Sequence, residues 1–596
     1  MCGIAGIITN CDRFNSIDRH IKRMQKSLEH RGPDDRGIYL SPSQKTALAH
    51  TRLSILDLSP AGHQPMASGD GRYQIVFNGE IYNFRYLRKQ LEARGESFDS
   101  HTDTEVILKL YKHYGSDCLE QLRGMFAFGI WDDREKTCFI ARDPLGIKPL
   151  YYWQQGSTLL FASELKAIVA TKLASLEIDP QGLYGYFTKG TVPEPFTLIK
   201  NIHCLPAGNW LKWQAGEVTQ KKYWQVEFSP QEISSEDAIL KVRQALIDSV
   251  EHHFVSDVPV GIFLSGGIDS TSLVALARQT QTNQLHTYSI AFAESKWNEG
   301  AIASEIARNF ETNHTEYRVT ADFGKQLLPR YLETVDQPSI DGFNTFCVSM
   351  VARKGGSKVV LSGLGGDELF GGYPSFQKIP QMVRMSRNMQ TFQPLLRCAG
   401  SILEKWSNSH KIKRLGNFLQ NDPNSVTAYQ CLRGVFSDLE AIALVKQYLP
   451  DRNLEPTALD SEITFSSLED EVSFLEIDRY MRNQLLRDSD VMSMAWGLEL
   501  RVPLVDRILL ETIASIPSSI RLAPGKKLLV KAIPELPEIV FNRPKQGFFF
   551  PYEQWMNGEW QDYFQTKKCP SQIPLKSWYR RWSLSMLDCW LEQIAV

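Results

Sequence analysis

The stretch Phe263-Leu264-Ser265-Gly266-Gly267-Ile268-Asp269-Ser270 decides the fold of the second half of the chain. An apolar run ends there in a turn of small residues, and a helical pattern begins at about Asp269. A strand, a glycine-rich turn and a helix in this order are typical of an open parallel sheet, whose ligands bind at the carboxyl ends of the strands. The stretch therefore predicts an α/β domain with a ligand site directly after this strand.

Strand-like and helix-like segments alternate on both sides of this stretch. Strands are predicted at 287–292, 314–319 and 358–361, and helices at 299–310 and 345–354. This alternation predicts a doubly wound parallel sheet that is covered by helices. From about residue 375 onward, helix-like patterns dominate, so we expect a helical C-terminal part.

The first 165 residues have a different pattern, with short β-like runs between turn residues. Helices are expected at about 84–94 and after a capping box that begins at Thr102. The pattern predicts an α+β domain of mostly antiparallel sheets. A stretch rich in proline and glycine from Thr191 to Trp224 marks its end. We place the two domains at 2–215 and 230–596.

Composition narrows the range of partners for this 596-residue chain. Lys and Arg total 66 against 68 Asp and Glu, so no positive excess favours nucleic acid. No apolar run reaches the length of a membrane-spanning helix, roughly 18 residues or more. The ten cysteines lack a CxxC pair and the spacing of a zinc site. We expect a cytoplasmic protein without nucleic-acid or membrane partners.

Cys2 is the strongest candidate nucleophile in the first domain. Removal of Met1 would leave its thiol beside a free α-amine, and the unperturbed pKa values of the two groups are about 8.5 and about 7.7–8.0. The amine can therefore take the thiol proton near neutral pH. By position alone, a buried strand cysteine without a chemical role remains the alternative.

Four other residues fit the needs of a glutamine substrate. Arg52 can bind the carboxylate through its planar fork, and Asp103 can pair with the ammonium. Asn78 and Gly79 can supply the donors of an oxyanion hole. Each has an ordinary alternative, since an acid in the first turn of a helix favours its dipole and Asn-Gly is a common turn.

Two loops of the second domain can bind phosphate. The turn from Ser265 to Ser270 offers backbone donors and a helix N-terminus, and Asp269 can hold Mg²⁺ against phosphate oxygens. A second loop, from Ser362 to Tyr373, nearly reads GxGxxG but has Glu368 in the last glycine position. We interpret Asp367 as a second magnesium ligand rather than as part of a dinucleotide site. An ordinary strand-to-helix turn is the alternative for both loops.

Five ordered motifs resemble the class II glutamine amidotransferases. They lie at residues 1–4, 30–35, 50–55, 77–83 and 142–146. The resemblance implies a four-layer N-terminal-nucleophile hydrolase domain that releases ammonia. It also implies a role for each candidate: Cys2 forms the glutamyl thioester, Asn78 and Gly79 hold the oxyanion, and Arg52, Glu80 and Asp103 bind glutamine.

Three motifs of the second domain, at 265–270, 362–373 and 543–548, resemble the ATP-pyrophosphatase domain of glutamine-hydrolysing asparagine synthetases. The resemblance implies ATP as a substrate, Mg²⁺ as a cofactor and a homodimer. The residues that it implies are Ser265, Gly266, Gly267 and Ser270 around the pyrophosphate, Leu264, Ile290, Ser362 and Gly363 around adenosine, Asp269 and Asp367 on magnesium, and Lys545 on the leaving group.

Leu364 departs from the family pattern, in which many members have Glu or Asp between the glycines. Leucine cannot accept a proton or pair with an ammonium, so either another group serves or the acceptor is not aspartate. Aspartate remains the first hypothesis because the whole architecture matches. The alternatives are amidation of another carboxylate, such as an amino acid derivative or a uronic acid of a surface polysaccharide, a glutaminase without synthetase activity, and a catalytically silent binding protein.

Overall fold

A computed structural model describes residues 2–11, 16–292, 294, 300–452, 454, 465–542, 550–564 and 569–594. The described part of the first half contains two antiparallel sheets. Their strands are β1 (Gly3–Thr9), β2 (Asp35–Leu40), β3 (Thr46–Arg52), β4 (Met66–Ala67), β5 (Tyr73–Ile81), β6 (Gly124–Asp132), β7 (Thr137–Arg142), β8 (Tyr151–Gln155), β9 (Thr158–Ala162), β10 (Ile202–Cys204), β11 (Asn209–Gln214) and β12 (Glu217–Lys222). The strand orders are β10-β8-β9-β1-β3-β2 and β12-β11-β7-β6-β5-β4.

Helices cover the outer faces of the two sheets. They are α1 (Ile17–Ser27), α2 (Phe84–Glu92), α3 (Asp103–Tyr114), α4 (Leu165–Val169) and α5 (Pro180–Lys189). Alternate residues of β1 face opposite sides, as a strand requires. Ile4 and Ile8 pack between the sheets, while Ala5 and Ile7 pack on the side of α1. With α2 and α3 on the other sheet, the first half is a four-layer sandwich, which confirms the predicted fold class.

The second half contains a five-stranded parallel sheet in the order β15-β14-β13-β16-β17. Its strands are β13 (Val260–Phe263), β14 (His286–Phe292), β15 (Asn313–Val319), β16 (Val359–Leu361) and β17 (Glu499–Arg501). The sequence predicted the first four. It missed β17, because three residues inside a helical region carry no readable period of two.

Helices surround this sheet and form most of the described C-terminal part. They are α6 (Ser235–His253), α7 (Ile268–Thr280), α8 (Gly300–Asn309), α9 (Ala321–Thr334), α10 (Phe343–Lys354), α11 (Gly366–Phe370), α12 (Ser375–Asn388), α13 (Gln393–Trp406), α14 (His410–Gln420), α15 (Ser425–Arg433), α16 (Asp438–Tyr448), α17 (Leu468–Leu475), α18 (Arg487–Met494), α19 (Arg507–Ala514), α20 (Ser518–Arg521), α21 (Lys527–Ala532), α22 (Glu538–Phe541), α23 (Tyr552–Asn557) and α24 (Trp578–Ile594). A π-helical segment, Glu476–Leu486, joins α17 to α18. In the described part of the chain, no helix is both long and apolar enough to cross a membrane.

The ring of Phe161 fills the space between the two sheets of the first half. It lies over Gly6 of β1 and over Gly129 of β6, and a Cβ at position 129 would be 2.5 Å from its Cζ. The two sheets therefore approach through two positions that have no side chain.

Gly129→Ala should destabilise the first half by about 1–3 kcal/mol, because the added methyl group overpacks a closed core. Urea unfolding followed by tryptophan fluorescence measures the change. Gly69→Ala is the matched control, since a Cβ there would meet nothing within 4 Å. Equal midpoints for the two variants would contradict this packing.

Candidate active sites

Asn78 binds the backbone of Cys2, the residue directly before β1, and has one further donor without a partner in the described part of the chain. The backbone N–H of Cys2 donates to Asn78 Oδ1 at 3.0 Å. Asn78 is fully buried, and among the described residues its Nδ2 has no hydrogen-bond partner. Since buried amide donors are nearly always paired, this group is suited to an oxygen that the substrate brings. It fits the predicted role in an oxyanion hole.

Gly79 lies where no side chain fits. Its φ is 152°, and a Cβ there would collide with the carbonyl oxygen of Met125 on β6. The close approach of β5 to β6 therefore requires glycine at this position.

The three predicted glutamine ligands lie around Cys2, each held by a different contact. Arg52 donates to the carbonyl oxygens of the loop that follows it, at 3.0 Å for Leu56 and 2.6 Å for Asp57. Asp103 Oδ2 accepts the backbone N–H of Ile81 at 2.9 Å. The structure thus positions Arg52 and Asp103 through backbone groups of their own domain.

Glu80 contacts the second half of the chain instead. Its Oε1 lies 3.5 Å from Nη2 of Arg501, which also pairs with Glu499 at 2.5 Å through Nε. The sequence gave no signal for Glu499 and Arg501, because both belong to the short strand β17. Glu80, Glu499 and Arg501 form a buried charged cluster close enough to Cys2 for Glu499 to affect its thiol.

Burial shifts the pKa of the groups in this cluster. It raises the pKa of the Cys2 thiol, which Arg52 partly opposes. Burial and the charge of Glu499 raise the pKa of Glu80 well above its usual range. Burial also raises the pKa of Asp103 to about 7, against the hydrogen bond from Ile81. Asp103 therefore titrates near neutral pH.

Arg31 connects this site to the second half, and the sequence gave it no individual role. Its side chain is fully buried, and its Nε donates to the carbonyl oxygen of Cys2 at 3.0 Å. Nη1 pairs with Glu164 at 2.8 Å and Nη2 with Asp490 of α18 at 2.7 Å. The motif at 30–35 marked this position, but the sequence could not reveal a partner more than 450 residues away.

In the second half, the loop after β13 has the geometry of an anion cradle. Ser265 N–H donates to Ser270 Oγ at 3.2 Å, and Gly267 N–H lies 3.4 Å from Ser265 Oγ. Gly266 has a φ of 77°, a left-handed conformation that favours glycine. Helix α7 begins directly after this turn, so its N-terminus points toward the same space.

The two predicted phosphate loops form one site. Strand β13 pairs in parallel with β16, so the loops that follow them leave the same edge of the sheet. A Cβ on Gly363 would be 2.8 Å from the backbone nitrogen of Ser270, and one on Gly366 would collide with Asp269. Because the chain order reverses between these strands, the site lies at the topological switch point.

Lys526 bridges the two carboxylates that were predicted to bind magnesium. Its Nζ donates to Asp269 Oδ1 at 2.6 Å and forms an ion pair with Asp367. Burial opposes its charge, but Asp269 and Asp367 raise the pKa of Lys526. Two converging carboxylates are also an ordinary protein ligand set for Mg²⁺ beside phosphates, so the donor set fits that ion. The sequence missed Lys526, which lies in an unremarkable basic stretch.

The remaining predicted residues have less distinctive surroundings. Leu264 and Ile290 are buried, and the backbone N–H of Ser362 donates to the carbonyl oxygen of Arg501 at 2.9 Å. Leu364 is partly buried beside the core of the second half. Lys545 and its motif at 543–548 lie outside the described residues.

Comparisons with known proteins identify the family of each half of the chain. A family model described as a glutamine amidotransferase domain matches residues 1–224, and one described as asparagine synthase matches residues 241–587. Together with the fold, these matches define a glutamine-dependent carbon–nitrogen ligase.

Relatives extend over most of the chain. It is 33% identical over 587 residues to asparagine synthetase (glutamine-hydrolyzing) 1 of Bacillus subtilis, which covers 95% of this chain and 89% of that protein. It is 38% identical to putative asparagine synthetase (glutamine-hydrolyzing) 2 of Methanocaldococcus jannaschii, over 65% of this chain and 80% of that one. Amidase chry2 of Gibberella zeae is 28% identical, over 94% and 90%. The chain belongs to the glutamine-hydrolysing asparagine synthetase family, whose synthase domain uses ATP.

The KM for glutamine should rise as the pH falls below about 7. The Asp103 carboxyl takes up a proton there, and a neutral carboxyl cannot pair with the ammonium of glutamine. The expected rise approaches tenfold per pH unit well below the pKa. Glutaminase assays between pH 5.5 and 8.5 measure it. Asp103→Asn should have a high KM without this dependence, and a variant that keeps the wild-type profile would refute the assignment.

Lys526→Met should lower AMP formation at least about tenfold while glutamine hydrolysis stays near the wild-type rate. The change leaves Asp269 and Asp367 facing each other without their buried cation. The exposed Lys531 on α21 provides the control, Lys531→Met. Loss of both activities in a folded Lys526→Met protein would contradict a role confined to the second site.

Proposed function

We propose that this enzyme hydrolyses glutamine at Cys2 and uses the released ammonia to amidate a carboxylate that ATP has adenylated. Aspartate is the first candidate acceptor, which would give asparagine, AMP and pyrophosphate. The observation that carries the proposal is the Arg31 bridge. One buried side chain contacts both Cys2 and α18 of the half that contains the paired glycine-rich loops. Both half-reactions therefore have a site in one connected structure.

The first half-reaction needs a nucleophile and an oxyanion donor. After removal of Met1, the α-amine of Cys2 takes the thiol proton, and the thiolate attacks the carboxamide carbon of glutamine. Asn78 Nδ2 and the Gly79 N–H donate to the oxygen that becomes negative. The carbon–nitrogen bond breaks and ammonia leaves. Water then hydrolyses the thioester and releases glutamate.

The second half-reaction activates the acceptor. A carboxylate oxygen attacks the α-phosphorus of ATP, and pyrophosphate leaves with the electron pair of the broken bond. Ser265, Gly267 and Ser270 would hold the pyrophosphate, and Asp269 and Asp367 would hold Mg²⁺, which neutralises that leaving group when bound. Ammonia attacks the acyl carbon, loses a proton and displaces AMP.

Two classes of carboxylate acceptor are compatible with the proposal. Leu364 removes the charge that many relatives have beside the glycines, and aspartate would need another partner for its ammonium. The fungal relative bears the name of an amidase, so chains of similar length and architecture carry names that do not specify aspartate. Amidation of another carboxylate is therefore the second candidate. A glutaminase without synthetase activity would not explain the paired loops around Lys526.

The stoichiometry of glutamate, AMP, pyrophosphate and amide tests the proposal. Wild type should form the four products in equal amounts with glutamine, ATP and its acceptor. Cys2→Ala should form no glutamate but keep AMP and amide formation from added ammonium, because the second site remains intact.

Cys118→Ala is the matched control, since Cys118 is also a buried free thiol but lies away from the described site. Release of ADP and orthophosphate instead of AMP, or full glutaminase activity in Cys2→Ala, would refute the proposal.

A further inference from the structure

A cavity of about 300 Å³ lies between α5 of the first half and the helices of the C-terminal part. Four cationic side chains line it: Lys189, Arg414, Arg433 and Arg479. Asp341 is the one acid of this lining among the described residues. We call this space the cationic cavity. Because Arg433 is paired with the buried Glu476 at 2.8 Å, the case for an anionic ligand depends on Arg414 and Lys189.

Arg414 provides the strongest evidence that the cavity binds an anion. Its side chain is buried, with 8% of the residue exposed, and its Nε has no hydrogen-bond partner in the described part of the chain. Burial lowers the pKa of Arg414 and repulsion from Arg580 adds to this shift, while Tyr579, Cys431 and Glu440 oppose it. A buried cation of this kind is costly unless an anion offsets its desolvation.

Lys189 of α5 also lines the cavity and is partly buried. Burial lowers the pKa of Lys189 to about 7, and repulsion from Arg479 adds to the shift. An anion in the cavity would interact with both Lys189 and Arg414. Two walls that come from different halves of the chain thus favour the same kind of ligand.

The cavity is connected to the second glycine-rich loop. The guanidinium of Arg433 lies 4.1 Å from the ring centre of Tyr373 and 4.3 Å from that of Tyr480. The hydroxyl of Tyr373 donates to Glu368 at 2.8 Å, next to Asp367. The cavity therefore adjoins the loop that would hold magnesium and pyrophosphate.

The size and the aromatic lining indicate a ligand larger than a free amino acid. Pockets of about 300 Å³ and above accommodate drug-sized molecules. Aromatic rings contribute several walls, and Tyr552 and Trp578 stack with centroids 4.6 Å apart. Flat apolar faces beside cations suit a ring that carries anionic groups.

We propose that the cationic cavity binds the acceptor of the synthetase half, and that this acceptor is a sugar carboxylate with a second anionic group such as a phosphate. The inference rests on the proposed function and specifies its substrate class. One anionic group binds Arg414 and Lys189, while the reacting carboxylate extends toward the loop of Asp367. Leu364 needs no charge in this arrangement, because such an acceptor has no ammonium.

Binding tests the inference without turnover. Glucuronate 1-phosphate and aspartate are titrated by calorimetry into the full chain, with the nucleotide site filled by α,β-methylene-ATP and the ionic strength fixed. Glucuronate 1-phosphate should bind at least about tenfold more tightly than aspartate. Equal or tighter binding of aspartate would overturn the inference.

Three variants locate the binding. Arg414→Gln and Lys189→Gln should each weaken binding of glucuronate 1-phosphate at least about tenfold. Arg397→Gln is the matched control, because Arg397 is exposed and pairs with Asp422 in the loop between α14 and α15. Circular dichroism verifies that each variant is folded. If Arg414→Gln does not fold, the affinity of Lys189→Gln provides the test. Unchanged affinity in the folded cavity variants would overturn the inference.

Turnover separates this inference from the proposed function. With added ammonium, glucuronate 1-phosphate should support AMP formation, and Arg414→Gln should raise its KM without changing glutamine hydrolysis. AMP formation with aspartate alone, unaffected by Arg414→Gln, would overturn the inference and leave the proposed function intact. Absence of both glutamate release and AMP formation in wild type would refute the proposed function itself.

Discussion

The buried guanidinium of Arg31 is the interaction on which the relation between the two sites depends. It donates to the carbonyl oxygen of Cys2, the candidate nucleophile, and pairs with one carboxylate from each half, Glu164 and Asp490. Breaking one partner of such a buried arrangement costs about 3–5 kcal/mol, because a charge is left without compensation. This cost opposes movement of one half relative to the other, so the position of Cys2 is tied to that of α18. Free ammonia protonates in water, and a fixed interface limits that loss.

Strand β17 forms a second contact between the two halves of the chain. The carbonyl oxygen of Arg501 accepts the N–H of Ser362, at the start of the second glycine-rich loop, while the Arg501 side chain pairs with Glu80 in the candidate glutamine site. One residue at the edge of the parallel sheet therefore contacts both candidate sites.

Local patterns were enough to predict both domain types and the two phosphate loops. The short apolar run of β1, the small residues after β13 and the cap at Thr102 are properties of neighbouring residues, and each forms the element that it predicts. Arg31, Arg501 and Lys526 were missed for the opposite reason. Their partners lie far away in the chain, and an isolated basic residue is usually solvated. Only the folded chain shows that these cations are buried and which carboxylates they meet.

The cationic cavity and Leu364 both bear on the identity of the acceptor. A site that recognises the ammonium of aspartate needs an acid close to the adenylating loop. This chain has an aliphatic side chain at position 364, and the two acids that follow have other partners, Lys526 for Asp367 and Tyr373 for Glu368. Instead, burial lowers the pKa of two cations, Arg414 and Lys189, that line the cationic cavity. Such desolvation is maintained only if a ligand offsets it. Arg433 of the same cavity contacts Tyr373, at the end of the second glycine-rich loop. Under the proposed function, the aliphatic side chain of Leu364 and the Arg414 Nε, which has no hydrogen-bond partner among the described residues, both favour a substrate that is more anionic than an amino acid.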